Sequence, residues 1–350
     1  MTARPRTLFV GRGNSGVCWY RAALPAAAVG ADWLGVVGEP GALRRLTGGF
    51  GVALNENAWT GYDIVVLQLV HGAAWIRRIA ELQHAGVTVL YEIDDDLRGV
   101  AAEPGHEFAR LFSPQRLRAH DAAIRACDGL ICSTPALAER LADVHDRRFV
   151  CTNGIDLARY HYPLPQRDSV TIGWAGGTGH ERAMRPWLPE VAAVLEAHPE
   201  TRFRTVGQPF GLELVERFGA DRASAARFAA IDTYPAAMAA FDIALAPATP
   251  SPFFTAKSDL RFLEAAALGL PVVADPVVYP ALVHGTTGLH AETPAAAREH
   301  LEALVADPEL RRRLGSAARA YVERERAMPV ASRQWTAAID AVVPGAAAAA

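Results

Sequence analysis

The chain contains a single lysine, Lys257, among 35 lysine and arginine residues. Apolar residues at helical spacing follow it, and they predict a helix that begins at Ser258 or Asp259 and ends at Gly269. The first turn of a helix has free backbone N–H groups and a partial positive charge, which a compact ammonium beside it strengthens. This turn therefore predicts a phosphate or diphosphate site, although a capped amphipathic helix preceded by a lysine gives the same pattern. The expected backbone donors are Ser258, Asp259 and Leu260.

Two glycine-rich loops could also bind phosphate. Each follows a predicted buried strand, the first over 6–10 and the second over 170–174, and each precedes a predicted helix. Small residues let a backbone approach phosphate oxygens closely, and nearby hydroxyl and imidazole groups can donate to those oxygens. The G-x-G-x-x-G spacing of the first loop is weak on its own, and a glycine turn without a ligand remains the alternative. The candidates in the two loops are Gly13, Asn14, Ser15, Gly16, Gly176, Gly177, Thr178 and His180.

Three further features lie beside predicted strands and helices. The acidic triplet 94–96 follows a strand over 88–93, so this loop is either functional or the N-cap of a helix. His71 follows another strand, 63–69, at the sheet edge where α/β proteins bind ligands. Glu264 lies about one and a half turns into the helix after the lysine, and its carboxylate could accept hydrogen bonds from ribose hydroxyls.

The elements that position these residues alternate between strand and helix. With 350 residues, of which 51% are hydrophobic and 21% charged, the chain can form two domains with separate cores. The pattern predicts a soluble α/β protein, and the repeated glycine loop predicts two Rossmann-like domains that face each other across a cleft. Later strands of the second domain are predicted over 202–206, 228–231 and 242–247.

Composition excludes several other classes. The formal net charge is −3, and the first 165 residues hold 17 basic and 17 acidic residues, which argues against a nucleic-acid or membrane module. No apolar run approaches the roughly 20 residues of a membrane span, and the N-terminus shows no signal-peptide pattern. The cysteines have neither C-x-x-C nor zinc spacing, so we expect a cytoplasmic protein. They are Cys18, Cys127, Cys132 and Cys151.

Several of these features together resemble the GT-B glycosyltransferases, in particular family 4 (glycosyl transferases group 1). In that family a phosphate-binding lysine precedes a helix with a ribose-binding glutamate and a G-x-P-V-V strand, which Lys257, Glu264 and 269–273 match. The N-G-I-D at 153–156 resembles the tetrapeptide that closes the N-terminal domain. Many members carry a second glutamate eight positions before the ribose-binding one, and this chain has Ala256 at that position. The resemblance covers residues 6–342.

The resemblance implies the GT-B fold. An acceptor-binding domain is expected at 1–165, a nucleotide-sugar-binding domain at 166–328, and a tail at 329–350 whose helix crosses back to the first domain. It further implies transfer from a UDP- or GDP-sugar to an acceptor hydroxyl, with retention and without a metal or other cofactor. Catalytic roles are expected for Lys257, Asp94, Asp95 and His180, and acceptor contacts for Arg12, Arg21, His71 and Asp96.

Other functions remain open on the same fold. The acceptor could be a glycan, a lipid, a small molecule or a hydroxylated base of DNA. A sugar-nucleotide 2-epimerase would need acid and base carboxylates at the donor sugar, and Ala256 weakens that hypothesis. A protein that binds a sugar nucleotide without chemistry is the third possibility. The basic residues that could contact DNA are Arg12, Arg21, Arg44, Arg45, Arg77 and Arg78.

Overall fold

Two β-sheets organise the chain. The computed structural model describes residues 4–13, 15–47, 50–53, 55–162, 169–177, 179–207, 210–227, 229–279 and 281–343. The strands of the first sheet are β1 (Thr7–Arg12), β2 (Asp32–Val37), β3 (Arg44–Thr47), β4 (Phe50–Ala53), β5 (Ile64–Gln68), β6 (Thr88–Ile93), β7 (Gly129–Cys132) and β8 (Arg148–Val150). Their order is β4-β3-β2-β1-β5-β6-β7-β8. The pairs β2–β3 and β3–β4 are antiparallel, and the other neighbours are parallel.

The second sheet is parallel throughout. Its strands are β9 (Thr171–Gly176), β10 (Arg202–Gly207), β11 (Ala223–Arg227), β12 (Ile243–Ala246), β13 (Val272–Ala274) and β14 (Leu289–His290). They lie in the order β11-β10-β9-β12-β13-β14. The predicted pair of Rossmann-like α/β domains is thereby confirmed.

Each sheet has one point where the strand order reverses. In the first sheet β1 lies between β2 and β5, and in the second β9 lies between β10 and β12. Helices that follow the two flanking strands leave on opposite faces there, which opens a crevice beyond the carboxyl ends of the strands. The two predicted glycine loops follow β1 and β9, so both lie at these crevices.

Helices connect the strands. The N-terminal ones are α1 (Gly16–Cys18), α2 (Leu24–Val29), α3 (Ala73–His84), α4 (Leu97–Ala102), α5 (Pro114–Ala126) and α6 (Pro135–Arg140). The others are α7 (Glu181–Met184), α8 (Leu188–Ala197), α9 (Leu212–Phe218), α10 (Tyr234–Met238), α11 (Pro252–Ala256), α12 (Leu260–Ala267), α13 (Pro294–Ala306), α14 (Pro308–Tyr321) and α15 (Met328–Val342). A π-helical turn, Trp19–Ala23, joins α1 to α2, and a second one, Val322–Arg326, follows α14.

The last helix packs on the first sheet. Trp335 of α15 is 1% exposed, and its ring centroid lies 5.6 Å from that of Phe9 on β1. Helix α15 also contacts α2, which confirms the predicted crossover. The proposed domain boundary at residue 165 falls within 163–168, outside the described residues, and both domain boundaries stay predictions.

Two details of the strands differ from expectation. The strand predicted over 228–231 is wrong, because β11 covers Ala223–Arg227 and residues 229–231 are not in a strand; Phe228 itself is outside the described residues. The sequence of β11, ASAAR, has low β propensity, and this edge strand is held by its backbone pairing with β10. The short antiparallel strands β3 and β4 were not predicted either.

Candidate active site

A cavity of about 480 Å³ lies between the two sheets. Its walls come from the loops after β1, β6 and β9 and from the start of α12. Residues of the first sheet that line it include Ser15, Gly16, Asp94 and Asp95, and residues of the second include Gly176, Gly177, Lys257 and Ser258. The cavity is thus built from loops at both points of strand-order reversal.

Lys257 lies between α11 and α12 and points across the cavity. Its Nζ donates to Asp95 Oδ1 over 2.7 Å, and the Nζ lies 4.4 Å from the ring centroid of Phe253. The side chains of Lys257 and Asp95 are 20% and 29% exposed. This contact between the two halves of the chain was not foreseen, although both residues were expected in the site.

Asp94 has a perturbed carboxyl group. Burial raises the pKa of Asp94, and the neighbouring carboxylates of Asp95 and Glu92 raise it further, while Lys257 and Arg21 act in the opposite direction. A carboxyl group with a raised pKa can hold or accept a proton near neutral pH. Asp94 is therefore suited to acid or base chemistry in the cavity.

Arg21 is part of an internal network rather than a free cation. It is 1% exposed, and its Nε donates to Glu92 Oε1 over 2.6 Å. Its Nη1 donates to the Cys151 carbonyl over 2.6 Å and to Asn153 Oδ1 over 3.0 Å. Asn153 Nδ2 in turn donates to Ser258 Oγ over 2.9 Å. Arg21 lines the cavity floor and, through Asn153, holds the residue that precedes the cap of α12.

Glu264 lies in a cluster of tyrosine hydroxyls. Tyr20 donates to its Oε1 over 2.7 Å and Tyr234 to its Oε2 over 3.3 Å, and the Tyr20 and Tyr160 hydroxyls lie 2.7 Å apart. Burial raises the pKa of Glu264 to about 7, against the opposing effects of the Tyr20 hydrogen bond, the Arg261 charge and the Tyr234 hydrogen bond. Tyr20 is carried by the π-helical turn after α1, a type of distortion that is frequent at functional sites.

His180 pairs with an arginine. Its Nδ1 lies 2.9 Å from Arg261 Nη1, and because arginine can only donate, Nδ1 accepts and the ring proton is on Nε2. Burial and the charges of Arg261, Lys257 and His106 lower the pKa of His180. A neutral His180 can present only an N–H to the cavity, and it orients the Arg261 guanidinium, which lies 5.3 Å from the Trp174 ring.

The other expected donor contacts divide into three groups. Ser15, Gly16, Gly176, Gly177, Ser258, Leu260 and Glu264 line the cavity. Gly13, with a φ of +83° that favours glycine, donates its N–H to Val36 and is not part of the lining. Asn14 and Thr178 lie outside the described residues.

The backbone N–H of Asp259 is the group expected to contact the donor, and its side chain does not line the cavity. This side chain forms two hydrogen bonds with Arg326, of 2.8 and 2.9 Å, and the side chains of Asp259 and Arg326 are 8% and 12% exposed. Its carboxylate is therefore used inside the fold, because Arg326 sits on the π-helical turn that faces it. Within the described structure no side chain caps the N-terminus of α12, so its first-turn N–H groups stay available.

Three expected acceptor residues lie outside the cavity lining. Asp96 is buried, caps α4 by accepting from Arg98 N over 3.1 Å, and pairs with Arg140, so its charge is used in the N-terminal domain. Arg12 donates to the Gly38 carbonyl over 2.6 Å. His71 lies beside His120, with ring centroids 4.4 Å apart.

Several lining residues were missed. Arg261 could have been found, since it lies three residues before Glu264 on the same face of α12. Tyr20, Tyr160 and His106 have no motif that indicates a site, because they reach the cavity only through the tertiary fold.

In the described ranges no helix has the length and apolar character needed to cross a membrane. In the same residues no group of three or more histidine, cysteine, aspartate and glutamate side chains could hold a metal ion.

Comparisons with known proteins agree with this fold. Residues 185–330 match the family described as Glycosyl transferase-like. No curated protein matches the sequence. Among solved structures, sucrose-phosphate synthase from Thermosynechococcus elongatus aligns with a TM-score of 0.66 and 18% identity over 95% of this chain and 97% of the other.

Two further structures cover almost the whole chain. HepE from Anabaena, solved in complex with UDP-glucose, aligns with a TM-score of 0.68 and 18% identity over 97% of this chain and all of its own. WaaG, a glycosyltransferase involved in lipopolysaccharide biosynthesis, aligns with a TM-score of 0.64 and 18% identity over 97% and 100% of the two chains. Both comparisons show that this chain shares the fold of these proteins. The protein thus has the GT-B fold of glycosyltransferases, and its C-terminal part matches the Glycosyl transferase-like family.

Proposed function

We propose that the protein transfers a sugar from a nucleoside diphosphate sugar to an acceptor hydroxyl. The observation that carries this proposal is the cavity between the sheets, where Lys257 and the open N-terminus of α12 face Asp94 and Asp95. The side of the cavity with Lys257 and α12 is suited to a diphosphate, and the side with Asp94 and Asp95 is suited to a hydroxyl group. UDP-sugars are the first donors to test, since HepE was solved in complex with UDP-glucose; GDP-sugars follow.

The donor diphosphate would lie at the start of α12. The first-turn N–H groups, Lys257 and Arg261 supply positive charge there, and Gly176 and Gly177 let the backbone come close. As the bond to the sugar breaks, negative charge grows on the leaving diphosphate, and fixed donors that stabilise this charge lower the barrier. This account requires no metal, and the absence of a metal requirement is part of the proposal.

In the proposed complex, Lys257 would contact two anions, the Asp95 carboxylate and the donor diphosphate. In this structure it is paired with Asp95 at 2.7 Å, so its charge is already compensated before a ligand enters. A diphosphate carries more charge than one carboxylate and can draw the ammonium toward itself. The Lys257–Asp95 pair therefore links the proposed diphosphate site to the acidic loop after β6.

Glu264 would bind the ribose. Its carboxylate oxygens accept from Tyr20 and Tyr234 and still have lone pairs for sugar hydroxyls. The tyrosine hydroxyls fix the direction of the carboxylate, which favours recognition of one hydroxyl geometry.

The acidic loop after β6 would receive the acceptor hydroxyl. Asp94, with its raised pKa, and Asp95, held by Lys257, are the residues that could hold the hydroxyl or its proton. Retention of configuration at the transferred sugar is part of the proposal and rests on the family resemblance. A glycan, lipid or small-molecule acceptor fits this arrangement.

Two of the arginines named for the DNA alternative are engaged inside the fold. Arg21 is buried against Glu92, and Arg78 is 6% exposed and pairs with Glu81 at 3.1 Å. These two guanidinium groups cannot join an open basic face for a phosphate backbone without leaving their partners.

Product analysis separates the remaining functions. The protein is incubated with each nucleotide-sugar alone and then with acceptor mixtures, and the products are identified by mass spectrometry and NMR. Release of nucleoside diphosphate together with a new glycoside supports the proposal. A changed sugar with the nucleotide still attached indicates the isomerase. Binding without any product from any acceptor indicates the binding protein, and either of these two results contradicts the proposed transfer.

A further inference from the structure

Four basic side chains gather at the carboxyl edge of the first sheet, outside the cavity lining. Arg12 ends β1, and His71 lies three residues beyond the end of β5, its neighbour at the strand-order reversal. His120 on α5 has its ring centroid 4.4 Å from that of His71. Arg116 lies one turn earlier on α5. We call these residues the Arg12 cluster.

His120 has a nitrogen without a partner. The residue is 4% exposed. The Tyr91 hydroxyl donates its single proton to the Val70 carbonyl over 2.8 Å, so its oxygen accepts from His120 Nδ1, 3.0 Å away. The proton of the neutral ring is therefore on Nδ1. The opposite nitrogen, Nε2, is buried and finds no hydrogen-bond partner among the residues that the structure describes, which is costly unless a ligand supplies one.

The cluster has an excess of positive charge. Burial and the charges of His71, Arg116 and Arg12 lower the pKa of His120 to about 3. Burial, Arg116 and Arg12 likewise lower the pKa of His71. Arg116 Nε is also buried and unpartnered within the described part of the chain. The two guanidinium groups, of Arg12 and Arg116, lie near two neutral imidazoles, so the cluster is net positive, which is the electrostatic condition of an anion site.

Nearby carboxylates do little to compensate. Glu39 lies 3.8 Å from Arg12, and its side chain is 53% exposed, so water screens this pair. Asp121, on α5, accepts from Arg98 over 2.9 Å. Of these two carboxylates, Glu39 is therefore screened by water and Asp121 is already paired with another arginine.

The start of α3 adds to the positive potential. This helix has 12 residues, and its N-cap, Gly72, provides no side-chain hydrogen bond. Its first-turn N–H groups are free to bind an anion, and the helix dipole favours negative charge there. His71 immediately precedes the N-cap, so the helix terminus and the cluster share one location.

We propose that the Arg12 cluster is a subsite for a phosphate-type oxyanion carried by the acceptor. This inference rests on the proposed transfer, because it takes the ligand to be the acceptor. Arg12 is three residues before Ser15, which lines the cavity, so their Cα atoms are at most about 11 Å apart. A phosphorylated acceptor of modest size could therefore bind at the cluster while its hydroxyl reaches Asp94 and Asp95.

Anion binding is coupled to proton uptake. An anion between Arg12 and Arg116 offsets the charges that lower the pKa of His71 and His120, and a proton on His120 Nε2 can then donate to it. Because protons are taken up, binding strengthens as the pH falls. The charged and titratable groups that face the site are Arg12 on β1, Glu39 after β2, His71 before α3, Tyr91 on β6, and Arg116 and Asp121 on α5.

The first test measures sulfate binding by titration calorimetry, since the charge of sulfate does not change between pH 6 and 8. We expect Arg116→Ala to weaken binding by about tenfold, the scale of one hydrogen bond to a charged group. Arg118→Ala, which removes an exposed arginine from the same helix, is the matched control and should bind as the unsubstituted protein does. Equal sulfate affinity in all three proteins would overturn the subsite. Unchanged affinity between pH 6 and 8 would overturn the role given to His120.

A second arm separates an acceptor phosphate from free phosphate. Once a donor is found, the KM for a phosphorylated acceptor should rise about tenfold in Arg116→Ala, while the KM for its unphosphorylated counterpart should not change. An equal change for both acceptors would contradict the assignment to the acceptor. Binding of UDP, GDP, ADP and dTDP is recorded in parallel with the unsubstituted protein. A missing response to all of these nucleotides would refute the proposed transfer, while Arg116-dependent sulfate binding would still support an anion site.

Discussion

Replacing Lys257 by alanine separates fold stability from catalysis. The structure indicates a small effect on folding, because the Lys257–Asp95 pair is 20% and 29% exposed and such pairs contribute roughly 0–1 kcal/mol to the free energy of unfolding. The effect on turnover should be far larger. Loss of one fixed donor to a developing charge lowers turnover by about a hundredfold or more, or roughly 3 kcal/mol of barrier.

The pairing with Asp95 refines this prediction. Lys257→Ala leaves the Asp95 carboxylate unpaired beside the diphosphate, so part of the loss in nucleotide binding comes from repulsion. The double variant Lys257→Ala/Asp95→Asn should therefore regain part of the nucleotide affinity of the single variant but little of the turnover. Lys257→Arg keeps the charge with a planar fork and should retain only part of the activity.

Turnover is measured as release of nucleoside diphosphate with the best donor and acceptor, and stability is measured by urea unfolding. Arg217→Ala is the matched control, since it removes a cation from an exposed ion pair with Glu196 on the same domain, outside the cavity lining. A folded Lys257→Ala protein with normal turnover would refute the reasoning.

Two other substitutions test buried groups of the site. Glu264 has a pKa raised to about 7, so the folded state binds the carboxyl proton more tightly than the unfolded state does. The protonated carboxyl group therefore adds to the free energy of unfolding below about pH 4.5, and this addition is lost as the pH rises through 7. In urea titrations, Glu264→Gln should lack this decrease of up to about 3 kcal/mol, and an identical pH dependence in both proteins would show that the carboxyl titrates normally. Asp259→Ala leaves Arg326 buried and unpaired and should lower the free energy of unfolding by about 3–5 kcal/mol. A loss below about 1 kcal/mol would contradict the structural role given to that ion pair.

The local parts of the site could be predicted from the sequence. A strand, a glycine-rich turn and a helix are encoded by neighbouring residues, so the loops after β1 and β9 and the lysine before α12 were identified correctly as elements. The reversal of strand order places these loops at one cleft, which follows from the general rule for open α/β sheets. The prediction of the GT-B fold, which is confirmed, was made from these local patterns.

The pairing of side chains across the cleft could not be predicted. Lys257 and Asp95 are 162 residues apart, and Tyr20 and Glu264 are 244 apart, so no periodic pattern connects them. Asp259 and Arg326 are 67 residues apart, and a π-helical turn brings Arg326 to the start of α12. For the acidic triplet the sequence left a functional loop and a helix N-cap open, and the structure assigns the cap to Asp96.

The central claim is that the cavity binds a nucleoside diphosphate sugar. The most direct test is a thermal-shift panel of UDP, GDP, ADP, dTDP and their sugars on the unsubstituted protein and Lys257→Ala. A ligand at 100 times its Kd adds about 2.7 kcal/mol to the free energy of unfolding, which such an assay detects. We predict stabilisation by a uridine or guanosine diphosphate compound that is lost in Lys257→Ala. No stabilisation by any nucleotide would contradict the claim.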